Sequence, residues 1–495
     1  MFKKILIANR GEIAVRIMRT CKEMGIATVA VYSDADKHAL HTLEGDEAVP
    51  LGPAEPSQSY LAIDRIIAAV QQTGAEAVHP GYGFLAENAD FAERCEREGI
   101  VFIGPPAQVI RDLGNKITAR RIMLQGRVPI IPGMLAAADD PAVWAAHAEQ
   151  IGFPLLIKAS AGGGGKGMRI VHDPAELAEA RRGASREATA AFGDGTVYLE
   201  KFLPKCRHVE IQILADQKGH AIHLFERECS IQRRHQKIIE ETPSPALTPS
   251  LRAAMGQAAV TAAQAAGYVN AGTVEFILDP DGNFYFLEVN TRLQVEHPIT
   301  EMITGLDLVR HQIEIAAGRP LALTQDELSS RGHAIECRIY AEDPEQNFMP
   351  SPGRIAFFKE PTGPGVRNDS GVYAGFEVPV AYDPILSKLV VHAETREQAI
   401  RRMIRALQSY AVLGVRTPID FLLDVLASAP FQAGETYTDF IARHFTKWSP
   451  DRDTLDLAAI AYVADTMAPK ARPAGRAAQP PAHPDPWHTL NHWRL

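Results

Sequence analysis

The chain has only five cysteines in 495 residues, and no two of them form a C-x-x-C pair. Cys21, Cys95, Cys206, Cys229 and Cys337 are scattered and odd in number. That excludes a disulfide framework and a zinc-ribbon type of site, and makes a reducing cytoplasm the simplest compartment. No apolar run is long enough to cross a bilayer, so no membrane association is expected. No block of Lys and Arg forms a basic stripe: 51 basic residues stand against 60 acidic ones, a net charge of −9, which argues against nucleic-acid binding. The opening MFKKILIANRGEIAVRI has neither an apolar segment with a small-residue cleavage site nor an Arg/Ser-rich leader. A dinucleotide fingerprint is missing as well, because one glycine, Gly11, stands where G-x-G-x-x-G is required. There is no P-loop: in SAGGGGKG, Ser160 holds the first-glycine position and Gly167 replaces the Ser/Thr that would bind a metal ion. No internal repeat is visible.

What is present is ordinary globular composition, 46% hydrophobic and 22% charged, in a chain long enough for two to four domains. KKILIANR reads as a strand, and Ile13, Ile17 and Cys21 then recur every fourth residue, as on a helix ended by Gly25. IATVAVYS is a second strand, so a β-α-β unit and a parallel sheet are expected. This Rossmann-like section spans 1–114. An α+β section with hairpins follows over 115–328, and a third section over 333–447 begins HAIECRIYAED. The remainder, 448–495, is an Ala/Pro-rich linker and tail ending PWHTLNHWRL.

The glycine run joins two strand-like segments, FPLLIKAS and MRIVHD. Glycines tolerate positive φ and expose bare N–H groups, so the run suits a mobile, phosphate-covering lid, about 132–203; the alternative is a merely flexible hairpin. GTVEFILDPDGNFYFLEVNTRLQVEH carries the strongest signal. Counting outward from the DPDGN turn sets Glu275 opposite Glu288, and period-two alternation places Glu288, Asn290 and Arg292 on one face. Two facing carboxylates repel unless a cation or a proton intervenes, and a hard divalent ion shared with phosphates fits, with the Asn290 carbonyl as a third ligand. A solvent-facing strand with salt bridges and a glycosidase-type carboxylate pair are the alternatives. Arg292, Gln294 and Glu296 continue the alternation: an Arg fork to hold a small oxyanion and a carboxylate to take its proton. ERECSIQRRHQKIIEE, with His235 and Lys237, is either a cationic wall for phosphates or a solvated face. Lys116 and Lys158 are further phosphate candidates. His208 touches a ribose or is a half-buried strand histidine.

Taken together, IANRGEIAVRI, HPGYGFLAENADFA, IKASAGGGGKGMRIV, EKFLPKCRHVEIQIL, FYFLEVNTRLQVEHPITEMITGLDL and YDPILSKLVV resemble the biotin carboxylase family of the ATP-grasp superfamily over nearly residues 1–447. The resemblance is closest to the biotin carboxylase portion of acyl-CoA carboxylase α-subunits. It implies an α/β (α+β) fold with a Rossmann-like N-terminal domain, an ATP-grasp core with a glycine-rich lid, and a C-terminal domain. It also implies ATP-dependent carboxylation of biotin by bicarbonate through carboxyphosphate. Carried over by motif, Lys116, Lys158, Gly163, Gly164, Glu200, Lys201, Leu203, His208, Gln232 and His235 are ATP contacts. Glu275, Glu288 and Asn290 bind Mg2+ or Mn2+. Lys237, Arg292, Gln294 and Val295 hold bicarbonate, Glu296 is the base, Arg338 stabilises the biotin enolate, and Tyr82 and Phe84 lie near the biotin ring. No (A/V)-M-K-M biotin-attachment sequence occurs here, so the expected partners are a separate biotinylated carrier protein, a second copy in a homodimer, and a carboxyltransferase subunit. An acyl-CoA is the expected final acceptor, with acetyl-CoA or pyruvate carboxylase as alternatives. The remaining readings are a carboxylate–amine ligase and a non-catalytic nucleotide-binding subunit.

Overall fold

The computed structural model describes residues 1–450 apart from Gly163, Gly164 and His235. Those three expected nucleotide contacts and nearly all of the expected tail therefore lie outside the described residues. The unit described below is Met1–Trp448.

The expected α/β (α+β) class holds. The first layer is a parallel sheet of five strands in the order Glu47–Gly52, Ala27–Ser33, Lys4–Ile7, Ala77–His79, Val101–Phe102. The helix Gly11–Glu23 buries Ile13, Ile17, Met18 and Cys21 against it, the face read from their spacing. Strand order reverses between Lys4–Ile7 and Ala77–His79, which opens a crevice at their carboxyl ends. Two loops leave there, Ala8–Arg10 and Pro80–Phe84, and Asn9 ties them together by donating from Nδ2 to the carbonyls of Pro80 and Tyr82, both at 2.7 Å.

The second layer is an antiparallel sheet of eight strands. Its order is Phe284–Asn290, Asn270–Leu278, Arg207–Ala215, Ala221–Arg233, Gln236–Thr242, His333–Tyr340, Ile385–Ala393, Val366–Ser370. The sheet runs without a break from the section expected at 115–328 into the one expected at 333–447, because Gln236–Thr242 pairs with His333–Tyr340. The turn between Ser370 and Val372 lies on the start of the first helix: a Cβ at Gly371 would meet the Glu12 nitrogen at 2.4 Å, so only glycine fits that approach.

A third, smaller sheet pairs Leu155–Ala159 with Arg169–Val171 and with Val197–Lys201. The glycine run links the first two of these strands, as the sequence indicates. The helices Pro141–Ile151 and Leu177–Phe192 cover it, and it has its own core, including Trp144, Leu155, Ile157 and Leu199. Trp144 is buried, donates from Nε1 to the Ala138 carbonyl at 2.7 Å and carries the Arg181 guanidinium 4.8 Å above its ring. Trp144→Phe is expected to lower the opening free energy of this layer by about 1–1.5 kcal/mol, the worth of one hydrogen bond plus a small void. Hydrogen exchange of the 155–159 and 197–201 amides checks it; unchanged protection there would show that the indole N–H contributes nothing.

Candidate active site

Between the three layers lies one large cavity of about 1130 Å3. Every expected site residue that is described lines it: the loop pair Tyr82 and Phe84, the small-sheet residues Lys158, Glu200 and Lys201 with Leu203, and the large-sheet residues His208, Gln232, Lys237, Glu275, Glu288 and Arg338. Lys116, Asn290, Arg292, Gln294, Val295 and Glu296 complete the set.

The acidic hairpin has the expected register, with Glu275 directly opposite Glu288. Glu275 is buried, which removes the solvent-facing strand as an explanation. Its countercharges in this structure are Lys237 Nζ at 2.9 Å from Oε1 and His208 Nε2 at 3.0 Å from Oε2. Burial opposes ionisation of Glu275, but Lys237 and then His208 outweigh it and hold the carboxyl well below the usual range. Glu288 faces the cavity mouth with Oε2 3.2 Å from Lys116 Nζ. Asn290 Oδ1 accepts from Arg292 Nη2 at 2.9 Å. Two carboxylates on neighbouring strands and an amide oxygen make a hard, all-oxygen donor set, which fits a magnesium-type ion. Among the described residues, two further groups bring three ligand atoms together, His208–Glu210–Glu275 and Glu210–Cys229–Glu296. Both contain carboxylates already bonded to Lys237, whose ammonium supplies the positive charge there.

One expectation fails in form. Strand alternation does not carry through to Glu296: the strand ends at Asn290, the next residues form an irregular loop, and Glu296 precedes the helix His297–Thr304. The side chains still converge, because the loop is pinned from several sides. Glu87 accepts from the Thr291 backbone N–H at 3.0 Å and from Arg292 Nε at 2.8 Å. Gln294 donates to Glu275 Oε1 at 3.0 Å. Lys388 Nζ donates to the Val295 carbonyl at 2.9 Å.

Lys237 sits among three carboxylates, at 2.6 Å from Glu210 Oε2 and from Glu296 Oε1 and 2.9 Å from Glu275 Oε1. It is no member of a solvated face. Burial works against its charge, but the three acids raise its pKa well above the lysine value. Glu296 is fully buried, with Lys237 on one oxygen and Arg338 Nη2 on the other at 2.9 Å. Burial again opposes ionisation, and Lys237, Arg338 and Arg227 override it, so Glu296 is held as an ionised carboxylate. His208 is buried; burial disfavours its imidazolium, yet the Glu275 carboxylate raises its pKa overall. On the small sheet, Glu200 is gripped by Arg120 Nη1 and Lys158 Nζ, each at 2.6 Å. The Lys201 ammonium donates to the carbonyls of Gly152 and Phe153. Phe84 stacks on Tyr60 at 4.9 Å and meets the edge of Tyr382, which forms an apolar wall near Tyr82.

Sequence reasoning missed the residues that hold the site side chains in place: Glu87, Arg120, Glu240 and Lys388. Lys388 carried a usable signal, since a lysine inside the apolar run ILSKLVV must find a buried partner. The others lie far in sequence from the groups they hold.

Three families match the chain in order: the biotin carboxylase N-terminal domain over 1–110, the ATP-binding domain of the carbamoyl-phosphate synthase L chain over 115–324, and the biotin carboxylase C-terminal domain over 336–443. A pyruvate carboxylase subunit of Methanothermobacter thermautotrophicus is 55% identical over 89% of this chain and 90% of its own. The alpha subunit of mitochondrial methylcrotonoyl-CoA carboxylase is 50% identical in Mus musculus over 91% of this chain, which spans 63% of that relative. In Dictyostelium discoideum it is 49% identical over 99% of this chain and 70% of its own. Among solved structures, the biotin carboxylase domain dimer of Hydrogenobacter thermophilus 2-oxoglutarate carboxylase, in complex with MgADP, ADP and bicarbonate, superposes with a TM-score of 0.86 at 46% identity. That match covers 90% of this chain and 98% of the other.

Proposed function

We propose that this chain, which belongs to the biotin carboxylase family, uses ATP to carboxylate carrier-bound biotin with bicarbonate. The enzyme is an ATP-dependent ligase. The observation that carries the residue assignments is the double grip on Glu296, by Lys237 and Arg338, inside the cavity that also holds Arg292 and the Glu275–Glu288 pair.

Arg292, Gln294, the Val295 backbone and Lys237 bind bicarbonate, and Glu296 accepts its proton. Bicarbonate oxygen then attacks the γ-phosphorus of ATP, the bond to ADP breaks, and carboxyphosphate forms. Glu275, Glu288 and Asn290 would hold Mg2+, which would supply charge neutralisation at the phosphates. Lys116 and Lys158 add fixed positive charge along the phosphates, with Gly163, Gly164 and His235 as further contacts; Glu200, Lys201, Leu203, His208 and Gln232 shape the nucleotide end. Carboxyphosphate breaks down to carbon dioxide and phosphate beside the biotin ring, which Tyr82 and Phe84 flank. Arg338 faces the ureido oxygen where negative charge develops. ADP release with bicarbonate, measured with and without free biotin, tests this. Strong stimulation by biotin is expected; a flat response, or stimulation by an amino acid instead, would remove it.

Glu87→Ala is expected to raise the KM for bicarbonate roughly 3–10-fold with kcat little changed, since it frees the Arg292 fork without touching substrate. The Glu87 side chain is 42% exposed, so the effect on folding is small. A steady-state bicarbonate titration checks it, and an unchanged KM would deny that Glu87 orients Arg292.

The final acceptor is assigned to the acyl-CoA class. Support comes from the Dictyostelium methylcrotonoyl-CoA carboxylase match, which extends over 99% of this chain at 49% identity. A homodimer, a biotinylated carrier and a carboxyltransferase are the partners on this reading. Co-purification from the native host, followed by acyl-CoA and pyruvate carboxylation assays, distinguishes the acceptors.

A further inference from the structure

Around Arg338, three neighbouring strands carry further buried charge that the steps above do not use. Glu240 on Gln236–Thr242 is the direct cross-strand partner of Glu336, and Arg338 is that of Lys388. Residues two apart on a strand share a face, so Glu240, Glu336, Arg338 and Lys388 lie on one side of the sheet. All four are buried. Glu240 Oε1 accepts from Arg338 Nε at 2.7 Å and also faces Nη2 at 2.5 Å. Glu296 takes Nη2 from the other side at 2.9 Å. The guanidinium is therefore clamped between an acid that lines the cavity, Glu296, and one that does not, Glu240.

We propose that Glu240 is a positioning residue for the carboxylation of biotin: it fixes the Arg338 guanidinium along its Nε edge and so sets where the positive charge stands over the ureido group. The inference rests on the proposed role of Arg338. The physical reason is that an arginine held only at Nη2 can rotate about its long stem. A second carboxylate at Nε removes that freedom before substrate arrives, and preorganised charge is what stabilises a transition state. Glu240 can serve because its neighbourhood is not overloaded with negative charge. Burial pushes the Glu336 carboxyl well above its ordinary range, with Lys388 opposing the shift and the Glu240 carboxylate adding to it. Neither Glu336 oxygen has a hydrogen-bond partner, as suits an acid that does not compete for Arg338. Burial also raises Glu240, to about 7, against the pull of Arg338.

The test compares Glu240→Ala and Glu240→Gln in the full chain, with two activities measured on each preparation: biotin-stimulated ADP release and the slow biotin-independent ATPase. Alanine is expected to lower the biotin-stimulated kcat roughly 30–100-fold, with the biotin-independent rate within about 3-fold of wild type. Glutamine keeps an acceptor oxygen for Nε and is expected to recover the stimulated rate to within about 5-fold. Equal losses of both activities in Glu240→Ala, or a glutamine variant no better than alanine, would overturn the proposal and leave Glu240 a structural residue. Wild-type protein run alongside separates the two levels of inference. Absence of biotin stimulation in wild type sinks the functional reading itself, while stimulated wild type with insensitive Glu240 variants sinks only this one.

Discussion

Replacing Glu288 by lysine is expected to lower biotin-stimulated ADP release by roughly a thousand-fold or more. Glu288 stands opposite Glu275 across the hairpin, and its Oε2 lies 3.2 Å from Lys116 Nζ. The substitution removes one of three oxygen ligands and places a second ammonium beside Lys116. A divalent ion bridging protein to phosphates would then meet two positive charges instead of a carboxylate. The fold should survive, because the Glu288 side chain is 32% exposed at the cavity wall and holds up no core. Circular dichroism and thermal unfolding close to wild type, together with lost turnover, is the expected pair of results. Activity within a few-fold of wild type would contradict the assignment of this face to the metal.

Arg338→Ala has the second largest expected effect, a fall of roughly 100–1000-fold in biotin-stimulated turnover with the biotin-independent ATPase much less affected. The asymmetry follows from position. Arg338 touches Glu296 and Glu240, whereas the nucleotide candidates Lys116 and Lys158 stand elsewhere in the cavity, on Glu288 and Glu200. Removing the guanidinium also leaves two buried carboxylates short of a countercharge, a change that costs about 3–5 kcal/mol in comparable cases. A lowered melting temperature should therefore accompany the loss. The biotin-independent rate serves as the internal control: if it falls as far as the stimulated rate, Arg338 has no special part in biotin chemistry.

Much of the site is legible locally. The opposition of Glu275 and Glu288 follows from one turn, DPDGN, and the two-residue period of the strands beside it. The glycine run joins two antiparallel strands for the same kind of reason. Local periodicity misleads where the local structure stops. Alternation places Arg292, Gln294 and Glu296 on a continued strand, yet the strand ends at Asn290, and these side chains meet only because Glu87 and Lys388 hold the loop. The ambiguity of His208 has a similar source, for a strand histidine reads alike whether it is packed or functional; Glu275 Oε2 at 3.0 Å settles its surroundings.

The sequence by itself determined the parallel N-terminal unit, the acidic hairpin and its register, the glycine-linked pair of strands, and, through its long ordered motifs, the family. Those features depend on residues within a turn or a strand of one another, or on the order of whole motifs, and such information is written along the chain. Tertiary structure alone decided that Gln236–Thr242 pairs with His333–Tyr340 and His333–Tyr340 with Ile385–Ala393. That pairing sets Glu240 under Arg338 and Lys388 under Val295, and the approach of the first layer to the second brings Glu87 to Arg292. A salt bridge across about a hundred or two hundred residues leaves no periodic trace, because its geometry is set by which distant strands pair rather than by what lies beside either partner in the chain.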